Sequence, residues 1–360
     1  MASSGVTSGT DTSDIAVFGA GSWGTALAVQ FARAGHQVTL WGRNAAELRK
    51  LDEQRCNARY LPGIAFPEKL HPDPDLHAVI RKHQDLLICV PSNGFREILL
   101  AIRPHLQPGA RIAWATKGFE HDSGQLPHQV VREVLGGAIP VAVLSGPTFA
   151  SEVGAGLPTA MTIAASAPGF AAELAVRLSG LNFRAYTSDD MVGVEVGGAV
   201  KNVLAIAAGI SDGLGFGANT RIALITRGLL EMTRLGAALG AQPATFMGLS
   251  GMGDLVLSCT DDQSRNRRLG LMVAAGKSPA EAATAIGQVV EGLFAAVSVR
   301  TVAARLGLEM PICEQVYQVL HERQPARDAV MALMARSLKP ETDMELRNLF
   351  SRSANTLPLD

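Results

Sequence analysis

The sequence predicts an α/β N-terminal domain followed by an all-α C-terminal domain. Up to about residue 188, short apolar runs of strand length alternate with stretches of helical periodicity. Beyond that point no run rich in β-branched residues remains, and Ala, Gly, Leu and Met recur at helical spacing. With 360 residues, the chain also exceeds the size at which a single hydrophobic core usually stops growing, which favours two domains.

The chain begins with a polar arm and continues with a strand–helix–strand unit. We expect residues 1–13 to be a disordered arm, because they are small and polar and lack the basic start and apolar run of a secretory signal. Residues 15–18 predict a strand buried on both faces, and residues 23–34 predict a helix that Gly35 ends. Residues 37–41 predict the second strand.

Five further apolar runs predict the remaining strands of the first domain. They lie at residues 86–90, 111–115, 141–144, 160–165 and 183–187. The Ser-Asp-Asp sequence at 188–190 then supplies N-cap oxygens and negative charge for the helix that opens the second domain. These signals predict a first domain at 14–190, a helical substrate and catalytic domain at 191–349, and a loose tail at 350–360.

A glycine-rich turn joins the first predicted strand to the first predicted helix. Gly19, Gly21 and Gly24 form the pattern G-x-G-x-x-G in the strand–turn–helix context that dinucleotide binding requires. Gly19 allows the tight turn, Gly21 lets the backbone approach a pyrophosphate, and Gly24 allows close packing of the helix. The N-terminus of that helix offers free N–H groups to the phosphates. The first domain is therefore predicted to be a Rossmann-type domain that binds NAD or NADP.

The residue that follows the second strand bears on the choice of cofactor. Enzymes specific for NAD usually place an acidic residue there, which binds the ribose 2′-hydroxyl. Here the strand ends in Trp-Gly-Arg-Asn, and Arg43 could pair with the 2′-phosphate of NADP. A solvated loop arginine is an equal alternative, so the sequence admits both cofactors, with NADPH plausible.

Composition excludes several classes of partner. The sequence has 32 Lys and Arg against 33 Asp and Glu, so we expect no nucleic-acid partner. Its apolar stretches are interrupted by charges or glycine-rich breaks before they reach about 18 residues, so we expect no membrane span. The 4 cysteines are far apart and the 8 histidines lack ligand spacing, which predicts no disulfide framework and no metal. These features are typical of a cytoplasmic protein with a small substrate.

Two lysines are candidates for proton transfer to a carbonyl oxygen, which a ketone reduction by hydride requires. Lys201 lies in an otherwise apolar helix, where an unpaired ammonium is costly unless it faces a site. We expect its side chain to lean over Gly197 and Gly198, which would leave room for a ligand, and we expect burial to lower its pKa. Lys117 follows a predicted strand and could face Lys201 across a cleft, although a solvated loop lysine is the alternative.

A polar triplet in the second half is suited to binding a phosphate. Ser264, Arg265 and Asn266 combine a hydroxyl, a guanidinium and an amide, and a helix that began at Arg265 would add free N–H groups. Two more arginines follow, so a solvated basic stretch is the alternative. Asp254 could anchor Lys201 or a substrate hydroxyl, or it could cap a helix.

Characteristic sequence blocks are distributed over nearly the whole chain. They are GAGSWGTALA at 19–28, NARYLPG at 57–63, VPS at 90–92, ATKGFE at 115–120, LSGPTFASEV at 144–153, VEVGGAVKNVLAIAAGISDGLGFGANTRIALITRG at 194–228, GLSGMGDLVLSC at 248–259, SRNRRLG at 264–270 and VVEG at 289–292. With these blocks the chain resembles the bacterial NAD(P)-dependent glycerol-3-phosphate dehydrogenases. The polar arm before Asp14 is a departure, since the family pattern does not require it.

The resemblance implies reversible reduction of dihydroxyacetone phosphate, a small phosphorylated three-carbon substrate, to sn-glycerol 3-phosphate for glycerophospholipid synthesis. It also implies a homodimer. It marks Lys201 as the proton donor and acceptor and Lys117 as a contact of both substrate and cofactor. The further substrate contacts that it implies are Gly146, Thr148, Asp254, Ser264, Arg265 and Asn266. The further cofactor contacts that it implies are Ser22, Trp23, Arg43, Tyr60, Ala150, Arg265, Val289 and Glu291.

Two other functions remain open from the residues alone. A related dehydrogenase with a helical second half could act on 3-hydroxy or 2-hydroxymethyl acids, and activity on an unphosphorylated acid would favour it. A non-catalytic NADP-binding sensor or interaction protein is the second alternative. Lys201 argues against the sensor, because such a protein needs no proton donor.

Overall fold

An eight-stranded sheet organises the N-terminal part of the chain. The structure, a computed structural model, describes residues 14–337, 340 and 341, so the arm predicted at 1–13 and the tail predicted at 350–360 lie outside the described residues. The strands are β1 (Ile15–Phe18), β2 (Val38–Trp41), β3 (Cys56–Asn57), β4 (Leu61–Ala65), β5 (Leu70–Pro72), β6 (Asp85–Ile88), β7 (Arg111–Trp114), β8 (Val141–Ser145), β9 (Thr159–Ala165) and β10 (Phe183–Ser188).

The order of the strands creates a point at which the connections diverge. The sheet runs β10-β9-β8-β7-β6-β1-β2-β5, while β3 and β4 form a separate antiparallel ribbon. Neighbouring strands of the large sheet are parallel, except β8 and β9, which are antiparallel. From β1 the chain continues to β2 on one side and later returns to β6 on the other. Open α/β sheets bind ligands at this point, beyond the carboxyl ends of the strands.

Helices flank the sheet and build the C-terminal part. Those of the N-terminal part are α1 (Ser22–Arg33), α2 (Ala45–Gln54), α3 (Leu76–Lys82), α4 (Phe95–Ile102), α5 (Pro127–Leu135), α6 (Ala150–Ala155) and α7 (Pro168–Leu178). Those of the C-terminal part are α8 (Met191–Gly213), α9 (Ala218–Ala238), α10 (Asp254–Thr260), α11 (Arg265–Ala274), α12 (Pro279–Ile286), α13 (Glu291–Arg305), α14 (Pro311–His321) and α15 (Ala326–Met334). The predicted class, a Rossmann-type α/β part followed by an all-α part, is confirmed.

Burial on both faces of the sheet explains the continuous apolar runs. Alternate residues of a strand point to opposite faces, and in β1 each set enters its own core cluster. Ile15 and Val17 pack in the cluster that contains Phe31 of α1. Phe18 packs on the other face, in the cluster that contains Trp114 of β7. Because neither face of β1 meets water, none of its four positions selects a polar side chain.

The seven strands predicted from the sequence are all present, and their ends differ from the predicted ends by at most two residues. The strands β3, β4 and β5 were not predicted. They are short and partly exposed, and β4 and β5 contain Pro62 and Pro72, so no apolar run marks them. Pro72 is tolerated because β5 lies at an edge of the sheet.

The central element of the C-terminal part is α8. Its predicted N-cap is confirmed, since the Asp190 carboxylate accepts the N–H of Gly193 at 2.8 Å. By length and composition α8 could cross a membrane, but 89% of its most apolar window is buried inside the protein. It packs against α9, α10, α11 and α13. Its apolar composition therefore matches a core helix that other helices surround.

Candidate active site

The glycine-rich turn lies at the carboxyl end of β1, where the sheet predicts a ligand. Gly19 has a φ of +120°, which side chains disfavour, and a Cβ there would lie 2.8 Å from the Cys89 carbonyl oxygen. A Cβ on Gly24 would lie 2.0 Å from the Gly19 carbonyl oxygen, so α1 can pack onto the turn only without one. These are the roles that the motif predicts for the two glycines.

The N-terminus of α1 has the features of an anion site. Its N-cap residue, Gly21, provides no side-chain hydrogen bond, and a Cβ on Gly21 would meet no atom within 4 Å. The first N–H groups of α1 therefore keep their capacity to bind phosphate oxygens. The indole Nε1 of Trp23 in the first turn is buried and has no hydrogen-bond partner among the described residues. These residues fit the diphosphate of NAD or NADP.

A buried amide supports this turn from below, and sequence reasoning did not single it out. Asn57 of β3 donates from Nδ2 to the Ala20 carbonyl oxygen at 3.0 Å and to Thr25 Oγ1 at 2.8 Å. Its Oδ1 accepts the N–H of Tyr60 at 3.2 Å. One side chain thus ties the turn to the segment that carries Tyr60. Asn57 opens the NARYLPG block, which was the available signal.

A cleft of about 2530 Å³ extends from the glycine-rich turn to the start of α11. This volume exceeds that of an ordinary small-molecule pocket and suits a dinucleotide together with a substrate. The predicted site residues that line it are Gly19, Gly21, Ser22, Trp23, Arg43, Tyr60, Lys117, Thr148, Ala150, Lys201, Asp254, Ser264, Arg265, Asn266, Val289 and Glu291. Two predicted residues are not in its lining. Gly24 packs under the turn, and the Gly146 carbonyl oxygen accepts a hydrogen bond from Lys117 Nζ at 3.3 Å.

Both candidate lysines bind one carboxylate in this cleft. Lys117 Nζ donates to Asp254 Oδ2 at 2.6 Å, and Lys201 Nζ donates to Asp254 Oδ1 at 2.5 Å. Lys201 also donates to Ser258 Oγ at 3.0 Å. Lys117 follows β7, Lys201 lies in α8, and Asp254 begins α10, so three separate elements converge. Of the roles considered for Asp254, the structure shows the anchoring of Lys201, and it adds the contact with Lys117.

The electrostatics of this group favour proton transfer near neutral pH. Burial lowers the pKa of Lys201 to about 8, the charge of Asp254 opposes this effect, and the charge of Lys117 reinforces it. The lowered pKa that burial predicted is therefore confirmed. Burial tends to raise the pKa of Asp254, but the charges of Lys117 and Lys201 outweigh it and hold that pKa below its ordinary value. Asp254 is thus an anion between two cations.

The prediction that Gly197 and Gly198 leave room for a ligand is wrong. A Cβ on Gly197 would lie 2.3 Å from the Ser250 carbonyl oxygen, so this glycine makes room for backbone. A Cβ on Gly198 would lie 3.2 Å from Ser145 Oγ and 3.3 Å from Cγ of Lys117. The second glycine therefore makes room for two side chains of the N-terminal part, one of which is the other lysine. Spacing along one helix could not reveal which element packs against it.

The triplet at 264–266 begins a helix, as proposed from the sequence. Ser264 is the N-cap of α11, and its Oγ accepts the N–H of Arg267 at 3.3 Å. Asn266 is buried and donates from Nδ2 to Asn202 Oδ1 at 2.9 Å, which joins α11 to α8. The guanidinium of Arg265 forms no hydrogen bond or ion pair with the described residues, and burial lowers its pKa. It remains available to an anion in the cleft.

A solvated basic stretch, the alternative for this segment, is wrong for Arg267. Its side chain is buried, with Nη1 paired to Asp212 and Nε donating to Asp262 Oδ1 at 2.9 Å. The pair with Asp212 holds α11 against the end of α8. Arg265 and Arg267 therefore differ in function although they are two residues apart.

The far side of the cleft joins the two parts of the chain through Glu291. Ser92 Oγ, in the loop after β6, donates to Glu291 Oε2 at 2.8 Å, and Glu291 is the first residue of α13. Burial raises the pKa of Glu291, while the bond from Ser92 and the charge of Arg265 oppose the rise. Arg43 lies exposed at the rim, and Tyr60 stacks against Arg59, whose guanidinium carbon is 4.9 Å from the ring centroid.

Comparison with known proteins assigns the family. The family model described as NAD-dependent glycerol-3-phosphate dehydrogenase N-terminus matches residues 14–171, and that of the C-terminus matches residues 190–331. The NAD(P)+ glycerol-3-phosphate dehydrogenase of Serratia proteamaculans (strain 568) is 55% identical over 326 residues, which are 90% of this chain and 96% of that protein. The chain belongs to the NAD(P)-dependent glycerol-3-phosphate dehydrogenase family. The enzyme of the same name from Yersinia pestis (strain Pestoides F) is 54% identical over 92% of this chain and 98% of that protein.

Solved structures agree with this assignment. The glycerol-3-phosphate dehydrogenase of Coxiella burnetii superposes with a TM-score of 0.87 at 48% identity, over 90% of this chain and 99% of that chain. A ketopantoate reductase from Ralstonia eutropha superposes with a TM-score of 0.56 at 19% identity, over 88% of this chain and 99% of that chain. The second likeness concerns the fold alone. Members of the glycerol-3-phosphate dehydrogenase family thus resemble this chain both in sequence and in the arrangement of its elements.

Proposed function

We propose that this chain catalyses the reversible reduction of dihydroxyacetone phosphate to sn-glycerol 3-phosphate, with NADH or NADPH as the reductant. The product would supply glycerophospholipid synthesis. The observation that carries the proposal is the bridge of Lys117, Asp254 and Lys201 in a cleft between a dinucleotide-type turn and Arg265. The names of the relatives support the same reaction, since they are glycerol-3-phosphate dehydrogenases that use NAD(P)+.

The glycine-rich turn, the start of α1 and Trp23 would hold the cofactor. When bound, the nicotinamide supplies the hydride that the carbonyl carbon accepts. The residues proposed to contact it further are Ser22, Arg43, Tyr60, Lys117, Ala150, Arg265, Val289 and Glu291, all of which line the cleft. The wall formed by these residues would exclude water from the reacting carbon and align the ketone.

Lys201 would donate the proton that completes the reduction. As the carbonyl oxygen gains negative charge, the ammonium Nζ transfers a proton to it, and the amine later regains a proton from solvent. In the reverse direction the neutral amine of Lys201 removes the hydroxyl proton. Asp254 would keep Nζ oriented, and Lys117 would stabilise the developing charge on the same oxygen. A pKa of about 8 serves both directions near neutral pH.

The substrate phosphate would bind where α11 begins. The Arg265 guanidinium forms no hydrogen bond or ion pair with the described residues, and Glu291 acts on it only through its charge. The N-terminus of α11 adds free N–H groups and the positive end of the helix dipole at the same corner. Ser264 and Asn266 would complete this corner, and Thr148 and the Gly146 segment would close it from the first domain. A phosphate fits this set better than a carboxylate, because a guanidinium and a helix N-terminus together match a dianion.

Domain boundaries, assembly and location form part of the same proposal. We assign a cofactor domain at 14–190 and a catalytic domain at 191–349, supported by the last strand, which ends at Ser188, and by the N-cap at Asp190. We also propose a homodimer in the cytoplasm. The family resemblance supports the dimer, and four free cysteines suit a reducing compartment.

Turnover measurements on the purified chain test the function. The loss of reduced nicotinamide is followed by absorbance with NADH and with NADPH, using dihydroxyacetone phosphate, dihydroxyacetone and a 2-keto acid as substrates. Turnover of the phosphorylated ketone alone is the expected result. Turnover of the keto acid alone would favour the related dehydrogenases, and cofactor binding without turnover of any substrate would favour a sensor.

A further inference from the structure

We propose that Glu195 is a positioning residue, which fixes the register of α8 along the end of β7 and so places Lys201 against Lys117. This role rests on the function proposed above, because it matters to catalysis only if the two lysines handle the reacting oxygen. Glu195 does not line the cleft. It acts through the helix that carries Lys201.

Three donors converge on the buried carboxylate of Glu195, whose side chain is 1% exposed. Its Oε1 accepts the indole Nε1–H of Trp114 at 3.1 Å and the backbone N–H of His128 at 2.9 Å. Its Oε2 contacts Nδ1 of the His128 ring. A buried carboxylate is costly unless its oxygens are paired, and here both oxygens are paired by groups of the N-terminal part.

The partners of Glu195 are not flexible surface groups. Trp114 is the last residue of β7, is fully buried, and packs edge-on against Phe95 with ring centroids 5.9 Å apart. His128 lies in the first turn of α5, a helix whose N-cap, Leu126, provides no side-chain hydrogen bond. The Glu195 carboxylate therefore caps α5 from another element, where the helix dipole favours its negative charge.

The His128 ring strengthens the same junction. Burial tends to lower the pKa of His128, but the hydrogen bond and the charge of Glu195 outweigh it and raise that pKa. Burial raises the pKa of Glu195, and the hydrogen bonds from His128 and Trp114 oppose that rise, so the ring and the carboxyl group share one proton in the Nδ1–Oε2 hydrogen bond. The N-terminal part thus holds α8 at one fixed point near its beginning.

Spacing connects this point to the catalytic group. Glu195, Gly198 and Lys201 follow at intervals of three along α8, so each lies next to the following one on the helix surface, while Glu195 and Lys201 themselves are about 120° apart around the axis. Trp114 and Lys117 are also three residues apart, and a Cβ on Gly198 would lie 3.3 Å from Cγ of Lys117. Glu195 therefore faces Trp114, and Gly198 faces Lys117. One turn further, Lys201 and Lys117 share a carboxylate.

A shift of α8 along this contact would alter the pair of lysines directly. While Glu195 is held, Gly198 stays beside Lys117, and loss of the Glu195 contacts removes this fixed point. A looser junction would admit water to Lys201. Because burial is the largest cause of its lowered pKa, that pKa would then rise towards the ordinary lysine value. The cofactor turn at Gly19 follows β1, whereas the partners of Glu195 lie in β7 and α5. A shift of α8 should therefore change cofactor binding less than catalysis.

The test replaces Glu195 and compares it with a second buried carboxylate. Glu195→Leu removes the acceptors at similar volume, and Glu195→Gln retains one oxygen for Trp114. The matched control is Glu231→Leu, since Glu231 is buried, accepts the N–H groups of Ile312 and Cys313 at 2.7 and 3.1 Å, and forms no hydrogen bond or ion pair with either lysine. Each variant is assayed with dihydroxyacetone phosphate across pH, together with KM for the cofactor and thermal unfolding.

We expect Glu195→Leu to lower kcat roughly 10- to 100-fold, because displacements of about 1 Å are that costly to a reaction. The KM for the cofactor should change less than about twofold, and the alkaline limb of the pH profile should move above 8 towards the ordinary lysine value. Glu195→Gln should recover most of kcat. Glu231→Leu should lower the unfolding temperature and leave kcat and the pH profile in place.

A folded Glu195→Leu enzyme with the wild-type kcat and pH profile would overturn the positioning role, however much stability it lost. If that variant does not fold, Trp114→Phe carries the test, because it removes one donor and keeps an aromatic ring. Severalfold lower kcat with an upward shift of the alkaline limb supports the role, and wild-type behaviour overturns it. Absence of turnover in the wild-type enzyme would instead contradict the proposed function.

Discussion

Replacing Asp254 with asparagine tests the electrostatic centre of the site. The substitution keeps the shape of the side chain and removes the one negative charge that both lysines contact, at 2.5 Å from Lys201 and 2.6 Å from Lys117. Among the causes that set the pKa of Lys201, only interactions with Asp254 raise it. Without them, burial and the charge of Lys117 act unopposed, so the pKa must fall below about 8.

The size of the fall follows from the separation of the charges. At about 4 Å between charge centres and an effective dielectric constant of about 20, the attraction is about 4 kcal/mol. One pKa unit corresponds to about 1.4 kcal/mol, so about 3 units is the upper bound. The amide oxygen of the substituted side chain still accepts a hydrogen bond, and we expect a fall of roughly 1 to 3 units.

The assay is kcat/KM for dihydroxyacetone phosphate across pH, which reports ionisations of the free enzyme. Reduction needs the protonated amine, so activity is lost as pH rises through the pKa of Lys201. A fall of at least about one unit makes the loss relative to wild type at least about fivefold greater near pH 8 than near pH 6. Taking the ratio to wild type cancels ionisation of the substrate phosphate.

Ser258→Ala provides a graded comparison, since it removes a neutral hydrogen bond of 3.0 Å from the same ammonium and no charge. Its alkaline limb should therefore move much less than that of Asp254→Asn. An Asp254→Asn enzyme that binds cofactor and unfolds cooperatively, yet keeps its alkaline limb at about 8, would refute the electrostatic argument.

Three further substitutions test separate parts of the site. Arg265→Ala should raise KM for dihydroxyacetone phosphate roughly 10- to 100-fold, because it removes one or two charged hydrogen bonds to the phosphate. An unchanged KM would exclude Arg265 from phosphate binding. Gly24→Ala places a Cβ 2.0 Å from the Gly19 carbonyl oxygen. Cofactor titration should therefore show weaker binding, and thermal unfolding should show a free energy of unfolding lower by about 1–3 kcal/mol. Arg43→Ala should raise KM for NADPH more than KM for NADH, and equal changes would leave Arg43 outside 2′-phosphate recognition.

Much of the fold could be predicted because its strands are buried on both faces. Residues 15–18 and 86–90 stand out as apolar runs, and burial in the two clusters on opposite faces of the sheet is the cause. The strands β3 and β5 carry no such signal, because backbone pairing holds these short ribbon and edge strands and requires no buried apolar run. Asn57 shows the consequence, since its importance appears only once β3 lies beneath the glycine-rich turn.

The candidate site was predictable where a residue conflicts with its local surroundings. Lys201 stands out as a cation in an apolar helix, and the same criterion applies to Glu195 six residues earlier, which the sequence analysis did not use. Asp254 offered no such conflict. That it binds two lysines depends on the packing of α10 against α8 and on the path of the chain after β7, which spacing along one segment cannot supply.

The role of Lys201 as proton donor is tested most directly by Lys201→Met, which keeps the approximate length of the side chain and removes its charge. Asp254 retains Lys117 in this variant, so the carboxylate stays paired and the fold should persist. We predict that kcat for reduction of dihydroxyacetone phosphate falls at least about 1000-fold, in line with loss of general acid catalysis, while the Kd for NADH changes less than about threefold. A kcat within about tenfold of wild type, in an enzyme that still binds the cofactor, would contradict the account.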